Sequence, residues 1–399
     1  MATGISVLDK LPPDPLLGLM AAFREDDRTG KVDLGVGVFK TATGETPILR
    51  SVKSAEAALY KAETSKVYEG PQGNAAFGPA VAELAYGAES SILKAGRVTA
   101  FAAPGGCGSL GLAAGFIRKL NPNAAVWLSA PSWPNHAHIC RQFGLTSKDY
   151  PYQGDGEGGV IMAPVQAALQ SAAIGDAVLI QGPCHNPTGI DFSEAQWLEL
   201  AAICNEKSLF PIIDIAYHGF ARGLDVDLYG VRAFLAEVPE ALVSYSCSKN
   251  FGLYRERAGA LLVLAANADQ ADTARTHIAS IARATYSMPP AHGAGIVAMI
   301  LADAGLTQMW RDEVDEMRDR LLSLRSGFAR ALESIGHPSV AKALRDQNGM
   351  FSILPIVEGG APRIREQFGI YMPGSGRINI AGLPEDRLDE VAERIATIL

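Results

Sequence analysis

The sequence predicts an α/β protein with a mostly parallel sheet covered by helices on both faces. Five short apolar segments carry that prediction: AVWLSA from Ala125, AVLIQG from Ala177, LFPIIDIAY from Leu209, ALVSYSCSK from Ala241 and GALLVLAA from Gly259. They alternate with stretches of helical spacing, the pattern of strands joined by helical crossovers. At 399 residues and 42.2 kDa the chain is longer than one core usually extends, so about two domains are expected.

No linker or repeat separates the halves, and the boundary is read from a long charged helix expected over Thr307 to Gly336. Its positions Met309, Val314, Met317, Leu321, Leu324 and Phe328 keep the spacing of a core-facing stripe. The expected division is a large unit over residues 45–310, with residues 1–44 and 311–399 forming an N-terminal arm and a smaller α/β unit. Pro12, Pro13 and Pro15 predict an arm that is extended rather than helical.

Four segments carry chemistry. Tyr245 leads into SCSKNFGLYRER, which sets Lys249 among hydroxyl and thiol residues with Arg255 and Arg257 close behind. Desolvation and nearby cations lower a lysine's pKa and free its amine for imine formation, and an arginine fork suits a phosphate. IIDIAYHGF, from Ile212, places Asp214 and Tyr217 at the end of an apolar strand, where α/β proteins bind ligands; a strand-end aspartate also serves simply as a cap. QGPCHNPTGI, from Gln181, is a turn in which Asn186 is able to donate to a phenolate-like oxygen, or does no chemistry at all. PGGCGSLGLAAGFIRKL, from Pro104, puts Gly105, Gly106 and Gly108 before a helix with Leu110, Ala114, Ile117 and Leu120 on one side, which offers free N–H groups to an anion.

Together these segments resemble the class I aminotransferases of the aspartate and aromatic amino acid subgroup, which carry pyridoxal 5'-phosphate on a fold type I scaffold. The resemblance runs from LGVGVFK, at Leu34, to SGRINIAG, ending at Gly382. It implies that Lys249 is the Schiff-base lysine and proton shuttle and that Asp214 pairs with the pyridinium nitrogen. Tyr217 and Asn186 match the residues that bond the ring oxygen, Trp133 the ring-stacking tryptophan, and His136 the histidine behind the aspartate. Gly106, Cys107, Ser246 and Arg257 match the phosphate grip, which Tyr68 reaches from a neighbouring subunit. For substrate, Arg377 matches the arginine that forks onto the α-carboxylate, and Gly37 lines the same end. Arg283 matches a partner-subunit arginine for a side-chain carboxylate, and Trp133 and Asn186 also border the substrate. Asn186-Pro187 and Ala130-Pro131 match cis peptide positions.

The resemblance thus implies ping-pong transamination between an aromatic or dicarboxylic L-amino acid and 2-oxoglutarate, in a homodimer with shared active sites. Cys107 stands where the family usually has a hydroxyl, and Val67 and Met288 where aspartate-selective members commonly have amides. Apolar, adaptable walls tilt the expectation toward aromatic or dual specificity, with strict aspartate aminotransferase as the alternative. A lyase or decarboxylase would use the same lysine and aspartate, but paired arginines favour exchange with a dicarboxylate.

Composition narrows the rest. Hydrophobic residues at 48% and charged residues at 20% lie within the globular range. A net charge of -8 without a basic block argues against a nucleic-acid partner, and with it against a regulator that senses the cofactor but does no catalysis. The five scattered cysteines read as free thiols, with no metal-site spacing. The first segment lacks the pattern of a signal peptide, and runs such as ALLVLAANA are too short to cross a bilayer, so a cytoplasmic protein without membrane contact is expected.

Overall fold

A computed structural model of the chain describes residues 4–12 and 14–399. Residues 1–3 and Pro13, which belong to the reading of the arm, lie outside the described residues. The strands in chain order are β1 (Val32–Asp33), β2 (Val98–Pro104), β3 (Ala125–Ala130), β4 (Thr146–Pro151), β5 (Ala177–Gln181), β6 (Phe210–Ile215), β7 (Ala241–Ser246), β8 (Ala258–Leu264), β9 (Phe351–Ile353), β10 (Ile370–Tyr371) and β11 (Arg377–Asn379). β2 to β8 form a seven-stranded sheet in the order β2-β8-β7-β6-β5-β3-β4. All neighbours run parallel except β8, which is antiparallel to both β2 and β7.

All five predicted segments are strands. β5, β7 and β8 are buried along their whole length, as expected when helices cover both faces of a sheet. Side chains alternate between two apolar clusters: Leu179, Ile212 and Leu242 join one, while Val178, Ile213 and Val243 join the other. The sheet also contains β2 and the edge strand β4, on which only Tyr150 is buried.

The long helix spans Ala304–Ser334. Its buried stripe runs Trp310, Val314, Met317, Leu321, Leu324 and Phe328, so the predicted face is correct except that Trp310, not Met309, starts it. Glu313, on the same face, reaches the helix Arg50–Ala62, whose preceding residue supplies no side-chain cap. Its carboxylate accepts from the Ser51 amide at 3.1 Å and the Ser51 hydroxyl at 2.6 Å, satisfying first-turn donors from another element.

The arm departs from the extended expectation. Pro15 is the first residue of the helix Pro15–Glu25, and Asp14 accepts from the Leu16 and Leu17 amides at 2.8 and 3.0 Å. Proline lacks only an amide hydrogen that the first turn does not use, so it starts a helix as readily as it prevents one. Beyond the helix, β1 pairs in parallel with β10, tying the N-terminal segment to the C-terminal part of the chain.

Phe328 is fully buried on the long helix, whereas Leu322 is 40% exposed. Phe328→Ala is expected to cost about 3–5 kcal/mol in denaturant unfolding. Leu322→Ala should stay within about 0.5 kcal/mol of the parent. Equal losses would show that the stripe does not face the core.

Candidate active site

The sheet register brings the chemistry to one edge. Gln181 pairs with Asp214, Ser246 with Gly259 and Pro104 with Ala258, so the ends of β2, β5, β6 and β7 and the start of β8 lie side by side. Ligands of open α/β sheets bind at the carboxyl ends of the parallel strands.

At this edge the helix Gly105–Leu120 begins. Gly105, Gly106 and Gly108 are inside its first turn rather than before it, and no side chain caps its free N–H groups. Of its predicted apolar positions, Leu110, Ala114 and Ile117 are buried, but Leu120 is 52% exposed. Gly105 has φ +66°, and a Cβ there would stand 2.4 Å from the Arg257 guanidinium. A Cβ on Gly259 would stand 2.7 Å from the Gly105 backbone, so two glycines let the strand and arginine approach the helix. Arg257 is itself held at φ +53° and donates to the Tyr254 carbonyl at 3.0 Å and the Ser248 hydroxyl at 3.4 Å, both neutral. Ser246 lies beside Gly106, and the exposed Cys107 accepts from Asn135 at 3.6 Å. A guanidinium with neutral partners beside a helix N-terminus fits a phosphate group.

Asp214 is buried at the end of β6, with Oδ2 3.0 Å from His136 Nε2; His136 Nδ1 is 2.9 Å from the Ser132 hydroxyl. Trp133 packs edge-on against His136 at 5.1 Å. Tyr217 is buried, and Asn186 Nδ2 donates to its hydroxyl at 3.4 Å, while Asn186 Oδ1 is buried without a partner. Lys249 Nζ lies 5.4 Å from the Tyr217 ring and 5.9 Å from the Tyr254 ring. Desolvation, with Arg257 and Arg377 adding repulsion against the opposing pull of Asp214, lowers its pKa to about 8. Arg255, which the sequence offered beside Arg257, is exposed and is not among the groups that act on this amine.

Arg377 closes the other side. Its Nη2 donates to the Gly35 carbonyl at 2.6 Å, its guanidinium lies 4.5 Å above the Phe351 ring, and its Nε is buried without a partner. Gly37 lies close by, and a Cβ there would stand 3.0 Å from the tip of the Phe351 ring, which would have to give slightly. Tyr68 and Val67 are 84% and 76% exposed. Arg283 is also exposed, and its described partner is the Ser287 hydroxyl. These surface residues share no described contact with the Lys249 cluster.

Several supporting residues went unread in the sequence. Gln181 holds Asn186 by its backbone, accepting from its amide and donating to its carbonyl, each at 2.9 Å. Asp191 accepts from the Cys184 and His185 amides at 3.0 Å and from Asn348 at 3.1 Å, and burial pushes its carboxyl up to about 6. His185 is a core histidine: it stacks on Tyr152 at 3.9 Å and burial keeps it neutral down to about 3. Arg325, on the long helix, donates to the Leu344, Asn348, Gly349 and Phe351 carbonyls and to the Ser352 hydroxyl. It thereby fixes the segment that carries Phe351 beneath Arg377. Only Gln181 had a local signal, since it opens the turn segment itself.

The comparisons agree with this geometry. The family model for aminotransferases of class I and II matches residues 29–395. Tyrosine aminotransferase of Rhizobium meliloti (strain 1021) is 46% identical over 389 residues, covering 96% of this chain and 97% of the relative. Aspartate aminotransferase of Escherichia coli (strain K12) is 42% identical over 388 residues, covering 97% and 98%. The solved structure of aromatic-amino-acid aminotransferase from Burkholderia pseudomallei, covalently bound to pyridoxal phosphate, is 39% identical with a TM-score of 0.96 and covers 100% of both chains. A family model that spans nearly the whole chain, and relatives above 40% identity over almost their full length, show that the chain belongs to the class I and II aminotransferase family.

Proposed function

We propose that the chain transfers the amino group of aromatic and dicarboxylic L-amino acids to 2-oxoglutarate by a ping-pong mechanism, with pyridoxal 5'-phosphate as cofactor. The observation that carries this reading is Lys249, its pKa lowered to about 8, set between Asp214 and the Gly105–Arg257 cradle. Gly106, Cys107, Ser246 and Arg257 would hold the phosphate, Asp214 the ring nitrogen, Asn186 and Tyr217 the ring oxygen, and Trp133 the ring face. Bound there, the cofactor supplies an aldehyde for amine exchange and a ring that accepts the electrons of a broken Cα–H bond.

The chain's own groups do the rest. Lys249 Nζ, neutral in part near pH 7, takes the substrate α-proton and returns it one position away. His136, anchored on Ser132, fixes the Asp214 carboxylate, which would meet the ring nitrogen. Arg377, seated on Phe351 and the Gly35 carbonyl and with no carboxylate partner among the described residues, would receive a substrate α-carboxylate. Gly37 keeps that approach open.

Two features support a homodimer in which Tyr68 and Arg283 serve the partner's site. Both side chains are exposed here, and the arm carries the exposed apolar residues Ile5, Leu8, Leu11 and Leu17, which a partner surface would cover. The pairing of β1 with β10 supports grouping residues 1–44 with 311–399 as the smaller unit beside 45–310. Five free cysteines support a reducing, cytoplasmic setting. The exposed Val67 and the half-buried Met288 support acceptance of aromatic side chains beside dicarboxylates.

The test is kcat/KM for aspartate and for phenylalanine with 2-oxoglutarate. Comparable values, or a phenylalanine preference, are expected; a strong aspartate preference would make this a strict aspartate aminotransferase. Arg283→Ala should lower kcat/KM for aspartate by about 10- to 150-fold, the worth of one charge-assisted hydrogen bond, and phenylalanine much less. Equal losses would make Arg283 structural. Only the neutral amine attacks an aldehyde, so cofactor capture by the apoenzyme should accelerate with pH up to about 8 and then level off. A rise continuing to the ordinary lysine range would contradict the lowered pKa.

A further inference from the structure

We propose that Tyr245 and His218 are positioning residues for Lys249, acting from inside the core through Asn250. The proposal rests on the reading of Lys249 as the amine that captures the cofactor. Tyr217 and Lys249 face the cleft, and their immediate successors, His218 and Asn250, are 1% and 0% exposed. The hydroxyl of Tyr245, on β7, meets both, at 2.8 Å from His218 Nδ1 and 2.9 Å from Asn250 Nδ2.

The direction of each hydrogen bond follows from chemistry. His218 Nε2 is 2.6 Å from the Leu224 carbonyl, which only accepts, so Nε2 carries a proton. Burial keeps this imidazole neutral down to about 4, which leaves Nδ1 as an acceptor. Tyr245 therefore donates to His218, and its oxygen accepts from Asn250. The backbone of Asn250 is held as well: its carbonyl accepts from Trp310 Nε1 at 2.8 Å, and Trp310 stacks on Phe251 at 4.4 Å.

The Lys249 amine is flanked by the rings of Tyr217 and Tyr254, and no described hydrogen bond holds it. Its position is accordingly set by the backbone on which it stands. Asn250 Oδ1 is already buried without a partner, so the amide is secured by its one bond to Tyr245. Removing that hydroxyl leaves both ends of a buried amide unpaired and frees the residue next to Lys249 to turn. The same hydroxyl couples that turn to the residue after Tyr217, so the two cleft-facing residues are registered to each other through their neighbours.

The experiment compares Tyr245→Phe with the parent, because it deletes one oxygen and keeps the ring. The apoenzyme is mixed with pyridoxal phosphate and covalent capture is followed by absorbance; binding of pyridoxine phosphate, which lacks the aldehyde, is measured alongside. Capture should slow by about tenfold, the effect of one buried hydrogen bond, while pyridoxine phosphate binds as before. In turnover kcat should fall with KM for the amino acid unchanged. Capture at the parent rate, or an equal weakening of pyridoxine phosphate, would overturn the proposal. If Tyr245→Phe does not fold, His218→Gln and His218→Leu decide: glutamine retains an acceptor and a donor and should preserve most of the rate, and equal loss in both would overturn it. Lys249→Ala separates the underlying reading, since covalent capture persisting in that variant would remove Lys249 from its role and the proposal with it.

Discussion

Three cations converge on one carboxylate in this cleft, and the rest of the structure is arranged to hold them there. Desolvation lowers the pKa of Lys249; Arg257 and Arg377 add to that, and Asp214 alone among the carboxylates opposes them. Like charges in a partly dry cleft repel, and the arginines have mainly neutral oxygens and an aromatic face as partners. Such a site favours anions strongly and would spread apart on a flexible support. It is therefore built on the ends of fully buried strands, with one arginine locked at a positive φ beside two glycines. The desolvation that lowers the lysine's pKa, with the arginines' repulsion added to it, is thus retained for chemistry instead of being relieved by movement.

The same logic explains the buried polar groups behind the cleft. Arg325 satisfies its guanidinium with four carbonyls and a hydroxyl and so ties the long helix to the segment under Arg377. Asp191 gathers two amides of the turn that carries Asn186 and an amide side chain from that same segment. Each group is costly to bury alone and becomes tolerable because its partners come from different parts of the chain. The result is a direct mechanical link between the turn beside Tyr217 and the loop beneath Arg377. Phe351 completes it by meeting Tyr217 edge-on at 5.7 Å.

How much of this could be read from the sequence follows from the range of the interactions. Strands β3 and β5 to β8 were legible because their apolar runs are continuous. β4 was not, being polar and exposed at the sheet edge, nor β2, whose alanines and terminal proline carry little strand signal. The proline-rich arm was misread because Pro15 was weighed only as a helix breaker, although Asp14 before it is a capping residue and proline fits the first helical position. In the site, Lys249, Asp214, Tyr217 and Asn186 were legible because each ends or follows a buried strand. Arg325, Asp191 and Phe351 were not, because their roles exist only through contacts across long stretches of chain. Tyr68 and Arg283 are exposed on a single chain and belong to the proposed dimer.

The segments at and just beyond the strand ends supply the last step. Where a chain leaves a sheet edge, one side chain faces the ligand and the next returns to the core, so chemistry and anchorage occupy adjacent positions. Tyr217 with His218 and Lys249 with Asn250 are two instances, and Asp214 between Ile213 and Ile215 is a third, with both flanking isoleucines fully buried. A substitution at an anchoring position thus reaches the chemistry through one peptide unit without touching a ligand. This places part of the control of the lysine inside the apolar core, where a change would ordinarily be read as one of stability alone.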